Sequence, residues 1–129
     1  MLPFTVSLRT GVPVYEQVIY AVTKGVVAGQ LRSGDPFPSV RALSQELKIN
    51  PNTAHKIVSA LIEQGLLIVR PGIGTVVADG WPMPAAARRL LLEEDAERLV
   101  VEAKRAGLSL QGVVAAIRRH WARLVSLAG

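Results

Sequence analysis

PFPSVRALSQELKINPNTAHKIVSALIEQGLLIVRPGIGTVVA, residues 36–78, reads as two short helices joined by a tight turn and followed by a β-hairpin. Ser39 precedes the run VRALSQEL and is a good N-cap, because its hydroxyl holds a free backbone N–H of the first turn. Val40, Leu43 and Leu47 recur at helical spacing, which predicts a helix over 40–47. Lys48-Ile49-Asn50 is too short for anything but a turn. Asn50-Pro51 then opens a second helix, with Asn favoured at the cap and Pro at the first helical position. Ala54, Ile57, Val58, Leu61 and Ile62 form its apolar side, and Gly65 is the expected left-handed stop. Its other side shows Asn52, His55, Lys56 and Ser59, without an acid or a large apolar group.

Two helices around a three-residue turn make a helix-turn-helix, whose second helix can enter a DNA major groove. Leu66 to Arg70 and Thr75 to Ala78 are β-type runs, and the Pro71-Gly72-Ile73-Gly74 segment between them has the glycines a hairpin tip needs. A hairpin in that place is the wing of a winged helix.

These residues resemble the DNA-binding domain of the GntR family of bacterial transcription regulators. The blocks that carry the resemblance are PVYEQV at Pro13, GQLRSGDPFPSVRALSQEL from Gly29, the NT pair at Asn52, LIEQGLL at Leu61 and PGIGTVV at Pro71. They keep the family's spacing over about half the chain, and the remainder looks like the tail of the short-tailed YtrA subfamily. The resemblance implies a mainly α fold with a small β-hairpin: a winged helix-turn-helix domain over 1–79, then a two-helix dimerisation tail over 80–129. It marks Ser39, Arg41, Asn52, Thr53, His55, Lys56, Arg70, Gly72 and Ile73 as DNA contacts, through a recognition helix over 51–64 and a wing over 66–78. Arg41 matches a family arginine and can grip a phosphate or a guanine edge. Asn can read adenine, whereas Thr53 suits a phosphate or a thymine methyl; helix-start chemistry alone also accounts for both. Gly72 and Gly74 are equally explained as turn glycines. Two departures stand out. Pro51 and His55 occupy positions where the family often has arginine, and Ala42 replaces the acid that completes a capping box.

The composition agrees with such a protein and excludes several others. The 129 residues are half hydrophobic, enough for one domain and a compact appendage but marginal for two independent cores. No cysteine is present, which removes disulfides, thiolate metal sites and cysteine nucleophiles. The net charge of +5 suits a polyanionic partner without requiring one. No apolar run reaches the roughly 18 residues of a membrane span, and no signal segment is visible, so the cytoplasm is the expected compartment. His55 and His120 lie on different predicted elements without a carboxylate cluster, so no metal is expected. Glu93-Glu94-Asp95 reads as a solvated helix face, and no Lys-Ser or Lys-Thr pair follows the wing glycines to make a phosphate loop. No cofactor and no catalysis are expected.

Outside the deciding stretch, Met1 to Thr10 is expected to be an extended arm that packs Phe4 and Val6 beside a first helix from Pro13 to about Ala28. Val14, Val18, Ile19, Val22, Val26 and Val27 are that helix's expected core face; Tyr15 is open between core and surface. Leu31 to Phe37 reads as a turn. After a proline-stiffened linker, a fourth helix runs from Pro84 to Ala106, expected to bury Leu91, Leu92, Ala96, Leu99 and Ala103. A fifth, capped by Ser109, runs to about Leu127 with its stripe at Leu110, Val113, Val114, Ile117, Trp121 and Leu124. Two such helices carry more apolar surface than they can hide from water. The resemblance implies that a second copy covers it, through Leu99, Ala103, Val113, Val114, Ile117 and Trp121; folding back as intramolecular core is the other way to cover it. Arg118, Arg119 and Arg123 are read as a solvated face.

The expected activity is therefore that of a DNA-binding repressor acting as a homodimer on an inverted repeat. The rival is a winged-helix interaction module whose apolar tail docks a partner without DNA. About fifty tail residues are too few to enclose a metabolite. A small-molecule effector, should one exist, is expected between wing domain and tail or across the dimer, near Trp81 and Trp121.

Overall fold

Each helix start and stop in the N-terminal half follows from a local rule, and the sum is a three-helix unit closed by a hairpin. The computed structural model describes residues 1–80 and 83–128, with side chains through residue 124. The chain divides into two compact units, one built on Met1–Trp81 and one on Pro82–Ser126.

In the first unit, α1 spans Val14–Val27 and buries Val18, Ala21, Val22, Gly25 and Val26. Val27, expected in the core, is exposed instead. Val27 lies nine residues beyond Val18, half a turn away round the helix, so the buried stripe through Val18, Ala21, Val22, Gly25 and Val26 leaves it outside. A Cβ on Gly25 would stand 3.3 Å from Leu31 Cδ1, so the glycine makes room for a fully buried leucine. Tyr15 is exposed. The arm lies beside α1 as expected. Phe4 stacks on Phe37 with centroids 5.8 Å apart, Val6 packs partly against the core, and Gln17 clamps the end of the arm by accepting the Arg9 N–H and donating to the Arg9 and Val12 carbonyls.

Helix α2, Val40–Leu47, begins where Ser39 Oγ accepts the Ala42 N–H at 3.1 Å. It ends on Lys48, which adopts φ 55° and ψ 49°, the one non-glycine residue with positive φ among those described. Left-handed backbone costs an L-residue roughly 1–2 kcal/mol, whereas glycine loses about 0.5–1 kcal/mol more entropy on folding. Sterics win at this position. Lys48→Gly should stabilise the first unit by about 0.5 kcal/mol and raise its melting midpoint by roughly 2–4 °C, measured by circular dichroism.

Helix α3, Pro51–Glu63, opens with Asn50 Oδ1 accepting the Asn52 N–H at 2.7 Å and buries Ala54, Ile57, Val58 and Leu61. Gly65 at φ 81° stops it. Strands β1 (Leu67–Arg70) and β2 (Gly74–Val77) pair antiparallel with Leu67 opposite Val77 and Arg70 opposite Gly74. The first β run thus starts one residue later than expected and ends where expected, and the second lies one residue earlier. A larger correction concerns 31–37, which is more than a turn. Its end lies along β2: the Phe37 N–H donates to the Thr75 carbonyl and the Val77 N–H to the Asp35 carbonyl, both at 2.9 Å, with a bridge between Pro36 and Val76. This pairing anchors the wing to the start of α2, and no periodicity in so short a segment reveals it.

The second unit holds α4 (Ala85–Leu90), a π-helical turn over Leu91–Asp95, α5 (Ala96–Arg105) and α6 (Leu110–Ala128). The expected single helix is therefore interrupted by a wider turn, and Pro84 caps it from outside. Gly107, at φ 75°, makes the corner, and Ser109 Oγ caps α6 by accepting the Gly112 N–H at 3.0 Å. Of the residues expected to be buried before the corner, Ala103 alone is; Leu91, Leu92, Ala96 and Leu99 are exposed. A pair of helices has one shared face, so the remaining apolar side chains stay in water.

Candidate nucleic-acid interface

The exposed side of α3 is polar because its other side is committed to the core. Asn52, His55, Lys56 and Ser59 are exposed and Thr53 is half-buried. Asn52 spends its backbone N–H on the cap and keeps its carboxamide without a protein partner. Glu63, the acid on this helix, lies eleven residues beyond Asn52, roughly 16 Å along the axis. The helix's leading end is free of negative charge.

Arg41 sits exposed in the first turn of α2, next to backbone N–H groups that carry partial positive charge. Ser39 Oγ is occupied as an acceptor by Ala42 but retains its own proton to donate. At the wing, Arg70 ends β1 half-buried, and the Ile73 N–H closes the tip onto the Arg70 carbonyl at 3.0 Å. Gly72 and Gly74 have φ of 79° and 115°, so the turn itself demands glycine. Among the described residues the ion pairs are Met1 with Glu46, Asp95 with Arg98 and Glu102 with Arg105. Arg41, Lys56 and Arg70 thus have no carboxylate partner, and their charge is available to a phosphate.

Lys48 is a cation that motif reading passed over. It is exposed three residues before the first residue of the recognition helix, and lysine where glycine would be unstrained is the signal that marks it. In the second unit, Leu99, Val114, Ile117 and Trp121 are exposed and Val113 is half-buried. Ala103, expected on a subunit interface, is buried within the helical hairpin, at the floor of a recess of about 190 Å³ that Val100, Lys104, Leu108, Leu110 and Val113 also line. Trp81 lies outside the described residues, so the expected effector site near it and Trp121 is not part of this geometry. No helix among the described residues is long and apolar enough to cross a membrane.

Residues 14–77 match the family of bacterial regulatory proteins described as the gntR family. The HTH-type transcriptional regulator Rv1152 of Mycobacterium tuberculosis is 31% identical over 81 residues, 63% of this chain and 67% of that one. The chain belongs to the GntR family. This GntR chain is also similar to the HTH-type transcriptional repressor YtrA of Bacillus subtilis, 29% identical over 104 residues and covering 80% of each. In fold it resembles the transcriptional antiterminator of Listeria monocytogenes EGD-e, with a TM-score of 0.79 at 21% identity over 98% of this chain and 92% of that one. Membership makes it a DNA-binding transcription regulator, with the winged helix as its DNA-binding part.

Proposed function

We propose that this GntR regulator is a cytoplasmic repressor that grips an inverted-repeat operator as a homodimer. Each copy sets α3 into a major groove, and its wing lies against the neighbouring minor groove and backbone. The observation that carries the reading is the leading face of α3, acid-free and exposed, which bears unpaired Lys56, together with unpaired Arg41 in the first turn of α2 and Arg70 at the end of β1. Arg41, Lys56 and Arg70 hold phosphates, Ser39 and Thr53 donate to the backbone, and Asn52 reads a base edge. His55 faces the groove as a polar group, Gly72 gives the wing backbone its close approach, and Ile73 forms the wing's tip. The loss of two family arginines at Pro51 and His55 implies an operator unlike those of arginine-bearing relatives.

The exposed apolar surface of the tail supports dimerisation. A standard interface buries about 800 Å² per partner, and Leu99, Val114, Ile117 and Trp121 stand exposed on the tail as apolar side chains that a second copy would cover. A two-fold pair places two recognition helices about 34 Å apart on one side of the duplex. The repressor sign is supported by the name borne by the Bacillus subtilis relative.

Salt titration tests the reading. Three phosphate-holding cations per copy make six per dimer, so log affinity for a duplex should fall against log salt with a slope of about −5. Fluorescence anisotropy on DNA from upstream of the protein's own gene measures it. A flat salt response, or no binding to any duplex in a random pool, would favour the protein-docking module instead.

A further inference from the structure

We infer that Ile73 makes the wing a selector for A·T pairs in the minor groove beside each half-site. The inference rests on the DNA reading above and adds to it a base preference and the residue that sets it. Ile73 is 72% exposed at the hairpin tip, so it buries almost nothing within its own unit. It is nevertheless held in place, by its N–H on the Arg70 carbonyl and by the left-handed glycines on either side. A Cβ on Gly72 or Gly74 would meet nothing within 4 Å. The tip is therefore slim on both sides of Ile73, and Pro71 is the other turn residue with a side chain. No carboxylate occurs between 66 and 78, so nothing on the wing repels a duplex.

The minor groove is about 6 Å wide, which admits a glycine-flanked tip and obstructs a loop with side chains at every position. The hairpin starts four residues after the end of α3, and its four-residue strands reach roughly 13 Å. With α3 in a major groove, the groove within that reach is the adjoining minor one. There an aliphatic group has no hydrogen bond to offer. A·T and T·A pairs present acceptors alone, whereas G·C adds the guanine 2-amino donor. Beneath Ile73 that amino group would lose water and gain no acceptor, and an unmade bond to a buried donor costs about 1–3 kcal/mol. The wing discriminates by what it cannot satisfy.

The test uses the full chain and a duplex that it selects from a random pool. Each A·T pair flanking the recognition-helix footprint is replaced by G·C or by inosine·cytosine, which keeps guanine's major-groove edge but lacks the 2-amino group. At one or two positions per half-site, G·C should weaken binding about tenfold, and inosine·cytosine should restore it to within about twofold of A·T. Ile73→Ala should bind G·C and A·T duplexes within about threefold of each other. Equal losses from G·C and inosine·cytosine would overturn the inference, as would an undiminished G·C penalty in Ile73→Ala, which would assign the preference to groove shape. Failure of the wild-type chain to select any duplex is a different result: it removes the DNA reading itself.

Discussion

Aspartate at both Val114 and Ile117 should convert the protein into folded monomers. The two side chains are exposed on α6, one turn apart, so the substitution leaves the protomer's own packing intact. Across a two-fold interface it would bury four carboxylates without partners, and each desolvation costs several kcal/mol. Dimer affinity should drop by at least a thousandfold. Sedimentation velocity at micromolar concentration should show the mass of one chain, with helical content unchanged. Operator affinity should fall with it, because a monomer engages one half-site. Intact dimers in the sedimentation profile would remove α6 from the interface.

Arg41→Ala should weaken operator binding by more than tenfold and leave the dimer's mass and melting temperature unaltered. A hydrogen bond to a charged group is worth about 1.5–3 kcal/mol, and Arg41 has no carboxylate partner whose release would offset its loss. The substitution removes one phosphate contact per copy, so the salt slope should also become shallower by roughly two. The slope separates this role from a structural one. A variant that lost affinity with its slope unchanged would have been damaged elsewhere, and unchanged affinity would show that Arg41 does not touch DNA. Asn52→Ala provides the contrast, since a base contact should alter preference among duplexes more than the slope.

What could be read without coordinates was what short-range chemistry specifies. Ser39, Asn50 with Pro51, and Ser109 mark helix starts because a cap bond spans two or three residues, and all three starts lie where the pattern put them. Gly65 and Gly107 mark ends because only glycine adopts positive φ without a steric cost. The polar face of α3 was equally legible, since a helix that buries Ala54, Ile57 and Leu61 has no choice about its other side.

Packing between distant segments was not legible. The pairing of 34–37 with β2 joins residues about forty positions apart and leaves no periodic trace. The close approach of Leu31 to Gly25 likewise joins segments that helical periodicity does not connect. Leu91, Leu92 and Leu99 carry a core-like pattern, yet the helical hairpin leaves them in water. Hydropathy records that a side chain is better covered and never says by what. The sequence by itself therefore determined the helices, the wing and the chemistry they present. Only the tertiary structure decided which apolar residues are spent inside the fold and which remain on its surface, because burial depends on the shapes of segments that meet through space.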